Sequence, residues 1–445
     1  MFLAGVIPGP NEPPLTAANH YLTPIIDEFL EFWEPGVQFS RTAKFPGGRL
    51  ILCALILVVC DLPAARKISG FASPKSEHFC NICHCRLSRG DLQTTDVARW
   101  KERTDKEYRD AMDEYQAATT AEKKEDEFKT NGIRYSELRR LTYFKMIESV
   151  VVDPAHNHFL GLINEHFTGI LGIQVRPIHE KTAIEIKLGR LPENMAQNVI
   201  VGVEKVKDWL QSPFSTTFGQ TRDQGAQCEV RDTGAATSTL CGHVLQAGEM
   251  SAIWSDLEQM LTPSWMTSVP SRLGQPSHGK LKADQWRVLG TTHLAISLVR
   301  LWALTETNDA RSRRCYELLH VTQCLISAII VASSHTVTTG SAETYLTYML
   351  EYLNGIKRLF PEYRLKPNHH MALHVHKYLL LFGPMHSWWA FPFERLVGGL
   401  QRVPHNGKPS MCTFILPSSQ ALMLDKVKWK AQLPVLILAW EICKD

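Results

Sequence analysis

The sequence lacks a charge excess of either sign: 48 lysines and arginines stand against 45 acidic residues, a net of +3. A global basic field that would hold nucleic acid without regard to sequence is therefore absent, which leaves room only for local patches. Nor does its opening read as a signal peptide. The opening "MFLAGVIPGPNEPP" has no basic n-region, and Pro8 and Pro10 interrupt its apolar run. The aliphatic run Leu50–Cys60 is too short to span a bilayer. Together these predict a soluble intracellular protein with no membrane partner. The 11 cysteines cannot all pair, and Cys80, Cys83 and Cys85 crowd together, which in a reducing compartment points to metal rather than disulfides.

What is present is the composition of a globular chain, 44% hydrophobic and 21% charged, which excludes wholesale disorder. Its 445 residues exceed one ordinary core and predict two or three domains, or one domain with a large insertion. Residues 2–7 read as a short strand ended by Pro-Gly-Pro. Residues 15–33 read as a helix, with Leu22, Ile25, Ile26, Phe29, Leu30 and Trp33 on one face. Residues 37–41 suit a strand. Residues 49–60 suit a central strand buried on both faces or a buried helix; the aliphatic and β-branched content favours the strand. Residues 96–129 are crowded with charge and predict a solvated helix or helix pair. Residues 147–175 start strand-like and continue as an amphipathic helix. Residues 211–239 are rich in Ser, Thr, Gly and Gln and read as a flexible linker. From Lys282 to Leu400 the pattern is helical, with no internal repeat.

The chemistry-bearing residues fall in an order. "HFCNICHC" places Cys80 and Cys83 at the Cys-x-x-Cys spacing that lets two thiolates reach one zinc ion, which is half a tetrahedral site. "NHHMALHVHKYLLL" offers the other half. His370 and His374, four apart on a helix, can turn both imidazoles to one metal, while His369 and His376 compete for the role. Asp61 precedes the cysteines, and Glu394 follows the histidines in "WWAFPFERLVGGLQR". A zinc site clamping the ends of a long helical region would bring Asp61 and Glu394 together, and two such carboxylates can hold magnesium for phosphoryl transfer. The plain alternatives are that Asp61, before Leu-Pro, caps a helix and that Glu394 is a helix-surface charge.

The strings "LAGVIPGP", "FWEPGV", "CDLPAARKISGFAS", "FCNICHC", "VVDPAHNHFLGLINEHF", "LKADQWRVLGTTHL" and "FPFERLVGGLQR" together resemble the tnp2-type transposases of CACTA-like DNA transposons, in particular the fungal Plavaka branch. The resemblance runs from Met1 to Arg402. It implies an α/β fold: an RNase H-like core interrupted by a large, mainly helical, zinc-containing insertion. It implies an Asp, Asp, Glu set that uses Mg2+ or Mn2+ to cut DNA and join the ends to a target. Carried over by position, Asp61 is the second catalytic aspartate and Glu394 the glutamate. Cys80, Cys83, His370 and His374 are the ligands of a structural Zn2+. DNA, as transposon ends and target, is the implied partner, with possible homo-oligomers, and the nucleus the implied compartment.

On this reading residues 1–66 are the N-terminal part of the RNase H-like core, with its first strands missing. Residues 67–384 are the helical insertion, with the linker near 211–245. Residues 385–402 carry the catalytic-type glutamate, and 403–445 are a divergent tail. The family's first aspartate lies upstream of the segment matching "FLAGVIPGP", so the set is expected to be incomplete and the chain inactive as it stands. Asp27 falls mid-helix, and Asp153, inside the insertion, is expected to be structural. The strand at 50–60 is expected to have an unpaired edge or exposed face. Arg134, Arg139, Arg140, Arg311, Arg313, Arg314 and Arg402 are candidate DNA contacts, each more simply a solvated charge. Two other readings stand: a non-catalytic, zinc-stabilised DNA-binding or interaction protein, and a relic that does not fold.

Overall fold

The computed structural model describes residues 17–173, 244–275, 279–303 and 309–401, and, as backbone, three strands at 412–414, 422–424 and 436–442. The expected strand at 2–7, the linker at 211–239 and Arg402 lie outside them. The chain divides into two compact units, residues 1–162 with 323–445, and residues 163–322. Asp61, Glu394 and the Cys80, Cys83, His370 and His374 set belong to the first, whereas Arg311, Arg313 and Arg314 belong to the second.

The first unit is built around the aliphatic run. Strand β2, Arg49–Val59, follows β1, Val37–Phe39, and the two pair antiparallel with Val37 opposite Ile51. Along Leu52–Val59 β2 pairs antiparallel with Leu436–Ile442, making a three-stranded sheet with β2 at its centre. The edge expected to be open is thus covered by a segment of the tail, whose own aliphatic and aromatic residues suit extended chain. Its register slips between Leu55 and Leu57. There the Leu55 amide donates to the Tyr143 hydroxyl at 3.0 Å, and Tyr143 packs on Trp33 of helix α1, Ala18–Trp33. A backbone donor freed by the irregularity is thereby satisfied. Burial on both faces holds only for the second half of β2. Ala54, Leu55, Leu57, Val58 and Val59 are buried, whereas Leu50 and Ile56 are exposed.

Asp61, Leu62 and Pro63 end the strand and start helix α2, Leu62–Ser69. Asp61 is its N-cap and Gly70 its left-handed C-cap, at φ +75°. Gly70 is required at this place. A Cβ there would lie 2.3 Å from the Arg134 carbonyl oxygen, because residues 70–72 run against 132–134 through the Arg134 N–H to Gly70 and Ala72 N–H to Gly132 bonds. The charged stretch forms the expected helix pair, α3 at Asp105–Ala117 and α4 at Ala121–Asn131, each started by a threonine cap. Residues 150–152 then run extended beside the end of β2. Val150 bridges Val58 in parallel sense, and the Val151 amide donates to the Val58 carbonyl at 3.2 Å. π-Helical turns follow at Ala155–Ile163. Farther on, the first unit holds long helices at Thr339–Leu359 and Pro367–Phe382 and a shorter one, Phe391–Gln401. Tyr345, Met349 and Tyr352 of the first are buried.

The second unit is helical in its described part. Helices Ala247–Gln259, Ala283–Val288 and Leu294–Trp302 belong to it. The Trp302 indole donates to Glu249 at 2.8 Å, and Gly290 gives close passage to Ile163, which a Cβ would meet at 2.7 Å. Trp286, Leu289, Leu294 and Leu298 are buried as expected. Helix Ala310–Ala332 starts in this unit and ends in the first. It is long and apolar enough to cross a membrane, and 61% of its apolar window is buried within the protein. The described chain is therefore mostly helical around a small sheet.

Gly70→Ala is expected to lower stability by about 2 kcal/mol or more, from left-handed strain plus a backbone clash. Urea unfolding of the purified chain checks this.

Candidate metal centre

Two sets of side chains converge in the first unit. The first is built by the loop after α2 and by helix Pro367–Phe382. Proline at the start of that helix pre-sets its first turn, and the Lys366 amide donates to His369 Nδ1 at 2.9 Å. His369 is thus committed to the helix start. His370 and His374, one turn apart, face the same way. Across from them, the Ile82 and Cys83 amides donate to Cys80 Sγ at 3.3 and 3.4 Å, holding the sulfur inside a tight turn.

The result is a buried Cys80, Cys83, His370, His374 group whose donor atoms all lie within 4.8 Å of one another. Cys80 Sγ is 3.4 Å from His374 Nε2, Cys83 Sγ is 3.2 Å from His370 Nε2, and the two Nε2 atoms are 3.1 Å apart. Tetrahedral zinc with bonds of about 2.0–2.3 Å sets its ligand atoms about 3.3–3.8 Å apart, so one ion fits with a small relaxation. Burial opposes ionising Cys80, yet hydrogen bonding from Cys83 and the adjacent His374 and His370 imidazoles hold it well below the usual thiol range. Cys83 is pushed up, first as the donor to Cys80 and then by Cys85. Burial lowers His370, keeping it the neutral ligand a metal needs. Cys85, also buried, stays outside the four, and half-buried His376 does not join them.

The surroundings fix the set by packing. Trp100 stacks on the His370 ring at 4.1 Å, and Phe79 meets it edge-on at 4.8 Å. His370 Nδ1 is buried without a hydrogen-bond partner, so aromatic contacts, rather than a carboxylate or carbonyl, orient this ligand. Two buried guanidiniums hold the cysteine loop by its carbonyls: Arg66 Nη2 donates to Phe79 O at 2.9 Å and Arg103 Nε to Cys83 O at 3.1 Å.

The second set lies where β2 and residues 150–152 end side by side. Asp61 caps α2, its Oδ1 accepting from the Ala64 amide at 2.8 Å, so the capping alternative is realised at the strand end itself. Asp153 is buried and accepts four hydrogen bonds: from the Ala155 and His156 amides at 3.2 and 3.1 Å, from His156 Nδ1 at 2.5 Å and from the Ala390 amide at 2.8 Å. Its expected structural role is thus visible. The Ala390 bond pins the start of the helix that carries Glu394. His156, which the sequence reading passed over, turns its other nitrogen, Nε2, to Glu394 Oε1 at 3.3 Å. Burial raises Glu394, His156 opposes that, and the charges of Asp153 and Asp61 add to it. Asp61 and Glu394 therefore share one electrostatic neighbourhood.

The remaining candidates are elsewhere. Asp27 pairs with Arg140 at 2.6 Å, Arg139 with Asp113 at 2.8 Å and Arg311 with Glu249 at 2.8 Å. These are ordinary surface pairs. Arg313 and Arg314 are exposed, and Arg134 stacks over Phe128 at 3.4 Å.

The purified chain is expected to carry one zinc per molecule by elemental analysis, and Cys83→Ser or His370→Gln to remove most of it. Chelation should lower the melting midpoint by about 5 °C or more. His156 titrates above its ordinary 6.5, because Asp153, Glu394 and Asp61 outweigh the burial that opposes its charge. Its stabilising contribution is therefore complete below about pH 6.5 and is lost as pH rises through the folded value. Histidine NMR titration should show the raised midpoint, and Asp153→Asn should bring it down.

Comparison with protein-family models and with curated proteins finds no match to this chain.

Proposed function

We propose that the first unit is the core of a transposon-derived DNA-processing protein of the Asp/Asp/Glu type, one that cuts phosphodiester bonds with water and then joins ends through a 3′-hydroxyl. The observation that supports this reading is convergence. Asp61 follows the strand end that runs beside Val150 and Val151, Asp153 at the end of that segment bonds Ala390 at the start of the Glu394 helix, and the Cys/His cluster ties the segments between them. This is the order of elements that the sequence resemblance implies. When bound, a magnesium or manganese ion supplies Lewis-acid polarisation of the phosphate, and Asp61 and Glu394 are the residues that would hold it. Asp153 is ill suited as a third ligand, since four protein donors already occupy its carboxylate. His156, oriented by Asp153 in the manner of a ligating histidine, stands beside Glu394 instead. DNA, self-association, a structural zinc and a nuclear location belong to the same proposal.

A second reading, a non-catalytic zinc-stabilised DNA-binding or interaction protein, is favoured by one observation. Both carboxylates already have protein partners, Asp61 in its helix cap and Glu394 in its pairing with His156.

Plasmid nicking by the zinc-loaded chain, with added Mg2+ or Mn2+, separates the two. The first reading expects this chain, which supplies two of the three carboxylates, to bind DNA without nicking it, and metal-dependent nicking once a segment carrying the family's first aspartate is joined ahead of Met1; Asp61→Asn and Glu394→Gln abolish that nicking and His156→Ala lowers it by about 10–100-fold. Salt-dependent DNA binding that is unchanged in Glu394→Gln, with no nicking by the extended chain either, assigns the protein to the second.

A further inference from the structure

Beside α2, sharing with the cysteine loop only Arg66, lies a cavity of about 290 Å³. Four cations line it, Arg66, Lys67, Lys124 and Arg134, and no carboxylate is among its lining residues. In a chain with nearly balanced charge, four positive groups around one small space are a local excess. An anion entering this space would be attracted by all four.

The ordinary explanation covers only part of this. Arg66 and Lys67 sit in the last turn of α2, where cations complement the helix dipole. Lys124 and Arg134 come from other segments, α4 and the stretch after it. They are brought in by the close passage of residues 132–134 over Gly70, itself a wall of the cavity. Nearby arginines do have acidic partners: Arg109 pairs with Asp105 at 2.7 Å, and Arg139 and Arg140 are paired as above. Among the described residues Arg66, Lys124 and Arg134 form none of these ion pairs; the nearest anionic influence on Arg134 is Glu125, and its guanidinium also bonds Tyr115.

Arg66 is the strongest indication. It is 2% exposed, and its Nη2 serves the Phe79 carbonyl, yet Nε and Nη1 have no hydrogen-bond partner. Burial lowers this guanidinium to about 10, so it stays charged at neutral pH. A buried cation with unused donors is costly unless an anion compensates it. Burial opposes its charge, while Cys80 and Cys83 favour it.

From this we infer that the cavity is a binding site for a small ligand bearing two or more phosphate groups. The size matches the lower end of small-molecule sites, about 300 Å³, and is too confined for a duplex. Arg134 offers a planar fork, and Lys67 and Lys124 offer mobile ammonium groups, suited to neighbouring phosphate oxygens. Tyr115 and Tyr135 add hydroxyl groups and aromatic faces to the same wall.

The test is calorimetric titration of the full zinc-loaded chain with inorganic pyrophosphate at constant ionic strength. Saturable binding is expected with Kd below about 1 mM. Lys124→Gln and Arg134→Gln should each weaken it at least about tenfold, with zinc content unchanged in both and ligand-free melting unchanged in Lys124→Gln. Lys123→Gln, an exposed neighbour on α4 outside the cavity, should leave it unaltered. Absence of saturation overturns the inference, as does an equal loss in Lys123→Gln. So does a silent pyrophosphate titration beside tight, Lys124-dependent binding of a single-stranded ten-nucleotide DNA, which would give the cavity to a nucleic-acid backbone.

Discussion

The buried carboxylate of Asp153 is the point on which the carboxylate region depends. A charge out of contact with water is tolerated only when its lone pairs are filled. Here four donors fill them, from the turn after residues 150–152, from the His156 ring and from Ala390 just ahead of the last described helix. One side chain thus sets the end of an extended segment, the tautomer of an imidazole and the starting point of the Glu394 helix. With the Phe159–Phe391 stack, it holds the Glu394 helix against the turn that follows residues 150–152.

The Cys/His cluster plays a comparable part on the other side of the same helices. Its two halves come from a loop close behind β2 and from a helix nearly three hundred residues later, joined through contacts of 3.1–3.4 Å between donor atoms. Helix Pro367–Phe382 is also tied to residues 150–152, because Tyr378 donates to the Val150 carbonyl at 3.1 Å. A metal at the cluster and a hydrogen bond one turn further along the helix therefore act on the same body. Loss of either would loosen the frame around both sets of side chains.

Much of this was legible in the sequence where local chemistry speaks for itself. Spacing offered Cys80 and Cys83 with a choice among His369, His370, His374 and His376, since a metal constrains its ligands whatever the fold; the resemblance pointed to His370 and His374, and the structure brings those two to the cysteines. The run before Asp61 announced a strand through its β-branched residues, and the charged stretch announced a solvated helix pair. What stayed hidden depends on distant partners. His156 lies on π-helical turns, whose repeat differs from the 3.6 residues that pattern reading looks for. The saturation of Asp153 needs an amide from Ala390. The basic cavity draws Arg66, Lys67, Lys124 and Arg134 from separate segments, none of them a recognisable motif. The pairing of β2 with residues 436–442 had no sequence signal beyond a short aliphatic string.

That last pairing bears on how the chain reaches its native state. The sheet's central strand gains one of its two neighbours from residues 436–442, a contact of very long range in sequence. Loop closure of that span must precede any reward from its hydrogen bonds, which places the completed sheet late in folding. During ribosomal synthesis β2 emerges long before its partner and stands for many seconds with an aliphatic edge unpaired. An aliphatic edge open over that interval is exposed to wrong pairing, a hazard set by topology rather than by the strength of any contact in the finished molecule.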